Sequence, residues 1–169
     1  MVKVVKTVDQ TDSVAVHVGV DDAKREQVCK ELSKILASTY VLYLKTLYYH
    51  WNVTGPNFVG LHSLFEEQYN DLHQAGDELA ERIRALGHFT PGTIAEYTKL
   101  SSVKDDSKLP SSADEMVRNL LAANEQCSQE ARQVLEVAEE AGDEVTVDMM
   151  VERMTAHDKT AWMLRSIIE

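Results

Sequence analysis

The feature that most constrains this chain is how seldom it can break. Its three prolines stand at 56, 91 and 110, and glycine occurs only seven times in 169 residues. The four stretches they leave are free of strong breakers, which favours an all-helical chain. The length suits one domain with room for a proper core.

Helical periodicity fills each stretch. Val28, Leu32, Ile35, Leu36, Thr39, Leu42, Tyr43 and Leu47 mark the buried stripe of a first helix. Asp21 can cap it, and it runs to about His50, before the turn formers from Asn52 to Asn57. A second helix takes about 58–86 and stops at Gly87, a residue suited to the left-handed conformation. Residues 88–111 are rich in turn formers, with a short helix over 93–100. A connection this long implies a crossover rather than a tight hairpin. Ser112 and Glu115 have capping-box spacing and open a third helix, whose stripe is Met116, Leu120, Leu121, Cys127, Ala131, Val134, Leu135 and Ala138. Gly142 ends it. A fourth helix over about 144–168 buries Val147, Met150, Val151, Met154, Ala161, Leu164 and Ile168. The sum is an all-α, ferritin-like four-helix bundle whose long crossover, between the second and third long helices, carries a short helix.

Ahead of the bundle, Val14, Val16, Val18 and Val20 alternate with Ala15, His17 and Gly19, the period of an extended arm lying on a surface. The chain thus divides into an arm, 1–20, and a bundle domain, 21–169. Lys3 and Lys6 in the arm are balanced by Asp9 and Asp12.

A net charge of −11 repels phosphate backbones and anionic lipid and attracts cations. Cys29 and Cys127 have no close partner motif and read as two buried thiols in a reducing compartment. With no apolar run near the ~20 residues of a membrane span and no signal-peptide block at the start, the expectation is a soluble, cytoplasmic protein.

The polar residues that stand out are His50, His62, Glu66, Asp77 and Glu81, types that bind transition metals through nitrogen and oxygen. A metal centre inside the bundle would call for the E-x-x-H arrangement, and no histidine here has an acidic residue three positions earlier. Geometry suggests another arrangement. His50 ends the first helix and His62 lies in the second turn of the next, so a helix hairpin brings the imidazoles level. Glu66 is one turn along the His62 face. Asp77 is fifteen residues from His62, ~22 Å along a straight helix, and cannot reach the same ion in one chain. It shares a face with Glu66, however. A second copy placed antiparallel about a twofold axis near residue 71 or 72 sets Glu66 level with the partner's Asp77, and His62 with its Glu81. Two identical sites then form across one isologous interface. His73 lies close to that axis as an auxiliary ligand or a hydrogen-bonded interface histidine. Acidic residues four apart are also common on any solvated helix surface.

The segments WNVTGPNF, LHSLFEEQYNDL, the 77–87 run and HDKTAWMLR resemble the Dps-type miniferritins, the DNA-binding proteins from starved cells. The likeness extends from about residue 25 to the end and includes the series H-x11-H-x3-E-x10-D-x3-E. It implies a hollow homo-dodecamer with ferroxidase centres between subunits, liganded by His50, His62 and Glu66 of one subunit and Asp77 and Glu81 of its neighbour. The family more often has aspartate where Glu66 stands. Trp51 resembles a family tryptophan thought to take up stray oxidising equivalents; a packed aromatic at a helix end is the plainer reading. The implied reaction is oxidation of Fe²⁺, preferentially by hydrogen peroxide, with ferric mineral stored in the cavity. Asp143, Asp148 and Glu152, near the acidic turn after the third long helix, match the surroundings of the family's threefold pores, or form a solvated acidic corner. DNA binding is expected to be weak or absent, since neither end carries a lysine-rich tail. The competing expectation is a non-catalytic, nucleoid-binding or zinc-sequestering cage, because zinc suits the same ligands.

Overall fold

The computed structural model describes residues 15–169; Lys3, Lys6, Asp9, Asp12 and Val14 of the expected arm lie outside the described residues. Five helices follow in order: α1 (Asp22–Asn52), α2 (Phe58–Ala85), α3 (Ile94–Leu100), α4 (Ala113–Ala141) and α5 (Glu144–Ile168). Among the described residues there is no strand. The long helices pair α1 with α2 and α4 with α5, and α1 packs across onto α4. The short α3 lies against α1. The all-α bundle with a helix in its crossover is therefore the observed fold.

Two apolar clusters hold it together. Leu42, Tyr49, Phe65, Val117, Leu120 and Leu164 form one. Val28, Leu32, Ile35, Leu36, Ile83, Leu86 and Met150 form the other. Both thiols are buried and free, and burial pushes the Cys29 thiol up to about 11. One expected core position differs. Val151 is 45% exposed, on an open groove of about 460 Å³ between α2 and α5. Those two helices touch at few points, so the apolar stripe of α5 runs past the core it was expected to fill.

The helix ends follow local chemistry. After α2, Gly87 takes φ 93, its N–H donates to the Arg84 carbonyl, and His88 N–H donates to that of Ile83. After α4, Gly142 takes φ 71, with the same pair of bonds to Glu139 and Ala138. Both are Schellman endings, in which a left-handed residue lets the chain satisfy the last carbonyls. Two expected caps take other forms. Asp21 holds the N-cap of α1 without a side-chain bond; Asp22 pairs instead with Arg25 at 2.8 Å. Ser112 accepts from Glu115 N–H, but the Glu115 carboxylate reaches back one residue further, to Ser111. A full capping box does occur on α3, between Thr93 and Glu96.

The described part of the arm is pinned by Arg25. Its guanidinium donates to the carbonyls of Val16, Val20 and Leu86, tying the arm to the end of α2. Val16 sits where a β-carbon on Gly87 would come within 2.8 Å of it. No helix among the described residues is long and apolar enough to cross a membrane.

Candidate metal centre

The connection between α1 and α2 is a five-residue turn, and it sets two imidazoles face to face. His50 is in the last turn of α1 and buried; His62, in the second turn of α2, is half-buried. Their rings stack with centroids 3.8 Å apart and planes 19° off parallel. His50 Nδ1 lies 2.8 Å from the His62 carbonyl oxygen. His62 Nδ1 lies 2.9 Å from that of His50. A carbonyl can only accept, so each Nδ1 must donate. In the neutral imidazole the lone pair then stands on Nε2, the nitrogen left free to bind a metal. This is the observation that fits the residues to a metal.

Tyr69 closes one side, edge-on to His50 with centroids 5.2 Å apart. Its hydroxyl donates to Glu66 Oε1 at 3.3 Å. Desolvation and then the Glu66 carboxylate hold that phenol above the usual tyrosine range. Phe58 lies against His62, with ring centroids 5.1 Å apart. Tyr69 was not singled out in the sequence, yet its position three after Glu66 and seven after His62 puts it on their face.

One chain brings together two of the five expected ligands. Glu66 is exposed one turn along α2, and Asp77 and Glu81 are exposed further along the same helix. Among the described residues, no three His, Cys, Asp or Glu side chains gather closely enough to hold an ion. His73 is exposed beside Tyr43, ring centroids 5.7 Å apart. His17 is exposed on the arm. Trp51, next in sequence to His50, is 66% exposed rather than packed at the helix end.

The three acidic residues assigned to a pore do not behave alike. Asp148 and Glu152 are exposed on α5. Asp143 is buried, and its carboxylate is consumed within the chain. Oδ1 accepts from Arg82 at 2.5 Å and from Thr146 N–H at 3.1 Å, and Oδ2 accepts from the Thr146 hydroxyl at 2.6 Å. Its position directly before α5 explains this, since that is where a short acidic side chain caps a helix.

These helices, the crossover and the histidine pair define a ferritin-like protein, and the family model of the ferritin-like domain matches residues 29–169. The chain belongs to that family, on its Dps branch. The DNA protection during starvation protein of Porphyromonas gingivalis is 37% identical over 146 residues, covering 86% of this chain and 91% of that protein. The crystal structure of Dps from Staphylococcus aureus superimposes with TM-score 0.82 at 41% identity, covering 85% of this chain and 96% of the other. The Dps protein of Vibrio cholerae O1, described as a member of a broad superfamily of ferritin-like diiron-carboxylate proteins, gives TM-score 0.87 at 31% identity, over 94% and 99% of the two chains. The metal this membership implies is iron; zinc has no support among these relatives.

Proposed function

We propose that this protein oxidises Fe²⁺ at centres shared between subunits, with hydrogen peroxide as the preferred oxidant, and stores the ferric product inside a cage of twelve copies. The carrying observation is the reciprocal Nδ1–carbonyl pairing of His50 and His62, which leaves Nε2 of each of two stacked rings free for a metal. Glu66 of the same subunit and Asp77 and Glu81 of a twofold-related neighbour supply the carboxylates. Imidazole holds Fe²⁺, and hard carboxylate oxygens favour the Fe³⁺ product. Two ferrous ions together deliver both electrons peroxide needs, 2 Fe²⁺ + H₂O₂ + 2 H⁺ → 2 Fe³⁺ + 2 H₂O, so no hydroxyl radical is released.

Exposed Asp148 and Glu152 would draw Fe²⁺ toward the cavity. With a net charge of −11, the cage acts in the cytoplasm through iron and peroxide chemistry and binds DNA weakly or not at all at moderate salt. Mixing the protein with Fe²⁺ and peroxide tests the reading. Ferric absorbance should appear faster than in buffer, and the His50→Ala, His62→Ala double variant should lose that acceleration. An equal rate in the double variant, or a monomer in size-exclusion chromatography, would sink it.

A further inference from the structure

Resting on that reading, a second feature leads away from the histidine pair along the seam between α1 and α2. From the histidine pair, aromatic rings follow one another without a gap. After His50 and Tyr69, Tyr69 meets Tyr43 edge-on at 6.2 Å between centroids. Tyr43 meets Tyr40 at 6.4 Å. Tyr40 stacks on Tyr97 of α3 at 4.8 Å, with planes 9° apart. The line runs back along α1, from its last turn to the crossover.

Two observations separate this line from ordinary packing. Four of the chain's six tyrosines stand in it, at half-buried positions where phenylalanine or leucine would serve packing alone. Room for the line is also made at the expense of helix propensity. Gly76 lies in mid-α2, and a β-carbon there would come within 3.0 Å of Tyr40 Cε2 and 3.3 Å of its hydroxyl.

We propose that Tyr69, Tyr43, Tyr40 and Tyr97 form a relay that carries one-electron oxidising equivalents from the His50–His62 site to the crossover. The need arises when peroxide meets a single ferrous ion instead of a pair: Fe²⁺ + H₂O₂ → Fe³⁺ + HO⁻ + HO•. Tyr69 gives up a hydrogen atom to that radical, forming water and Tyr69–O•. Glu66 accepts from the Tyr69 hydroxyl before the reaction and orients it. At each later step an electron and a phenolic proton pass together, restoring one tyrosine and oxidising the next. Electron transfer decays exponentially with distance, so short steps between touching rings outrun one long jump. At the crossover a thiol in solution returns Tyr97–O• to tyrosine, and two thiyl radicals close as a disulfide.

Rapid freeze-quench electron paramagnetic resonance tests the relay. The intact protein receives one Fe²⁺ per site and one equivalent of peroxide. A tyrosyl signal should appear whose main component is absent from Tyr97→Phe. In Tyr43→Phe, which keeps the ring and removes the oxidisable phenol, that component should fall at least fivefold while ferric absorbance is unchanged. Tyr48→Phe, off the line, should leave both alone. A Tyr97 component that survives Tyr43→Phe, or that is missing from protein that forms ferric iron, overturns the relay. A second arm uses iron-free protein and azide radicals as the oxidant, where Tyr43→Phe should at least halve the Tyr97 component. If no ferric iron forms, the iron reading fails and this arm decides the relay: the halving sustains it and an unchanged component overturns it.

Discussion

Arg82 reaches from the end of α2 to donate to Asp143 Oδ1 at 2.5 Å, and the aspartate is 2% exposed. Asp143 thereby caps α5 and neutralises a guanidinium that is itself largely buried. Removing it leaves the Arg82 guanidinium without a carboxylate, with only its bond to the Thr146 hydroxyl, and frays the first turn of α5. Asp143→Ala should lose about 3 kcal/mol of stability in urea unfolding. Asp148→Asn and Glu152→Gln should stay within about 0.5 kcal/mol of the parent and instead slow iron uptake into the mineral.

The shared centre can be tested by complementation. One chain carrying His62→Ala and another carrying Glu81→Ala should each be inactive alone. When the two are co-assembled, each mixed dimer has one doubly damaged site and one intact site. Random pairing then restores about a quarter of the parent rate of ferric formation. Centres built within single subunits would show no recovery.

Acid stability should depend on His157. This histidine is 2% exposed, and its Nδ1 donates to Asn124 Oδ1 at 2.9 Å. The Asn124 amide is oriented by its own bond to the Leu120 carbonyl. Nε2 is buried with no partner, so protonation would strand a charge there. Burial, reinforced by nearby Arg153 and opposed by Asp71 and Asp158, pushes this imidazole down from 6.5 to about 3. Between those two values the unfolded chain binds the proton and the folded chain does not, so stability falls as pH drops through that window. From pH 7.5 to 4.5 the parent should lose about 2–3 kcal/mol more than His157→Gln in urea midpoints at fixed protein concentration.

A half-buried cluster joining α1, the crossover and α4 should prove equally sensitive. Asp106, in the crossover, accepts from Lys45 at 3.0 Å and from the Tyr49 hydroxyl in a short bond. Asn119 of α4 donates to the same hydroxyl at 3.1 Å. Burial, and then the bond to Asp106, push the Tyr49 phenol far above its usual range. Asp106→Ala leaves Lys45, 7% exposed, without its carboxylate. We expect about 3 kcal/mol of destabilisation, read as a lowered Tm.

The bundle was legible because its signals are local. Breaker spacing, helical stripes and the glycines at 87 and 142 act within a few residues of themselves, and the backbone obeys them. Val151 was misread because its environment depends on an element distant in sequence, whereas Asp21 takes the expected N-cap position and lacks only the side-chain bond. Val151 needed a close α2–α5 contact that the bundle does not make. Arg25 could be tied to the carbonyls of Val16 and Leu86 only once both ends of the hairpin were in place.

The candidate centre divides in the same way. The sequence alone determined that His50 and His62 meet across one tight turn, and that helix rise keeps Asp77 and Glu81 out of reach in the same chain. Only the tertiary structure decided which nitrogen of each ring is free, because that depends on two carbonyls held at hydrogen-bonding distance across the hairpin. It likewise turned Asp143 inward to Arg82 and lined four tyrosines from three helices into contact. Spacing along one helix can be counted from residue numbers, but contacts between helices depend on how the whole bundle packs.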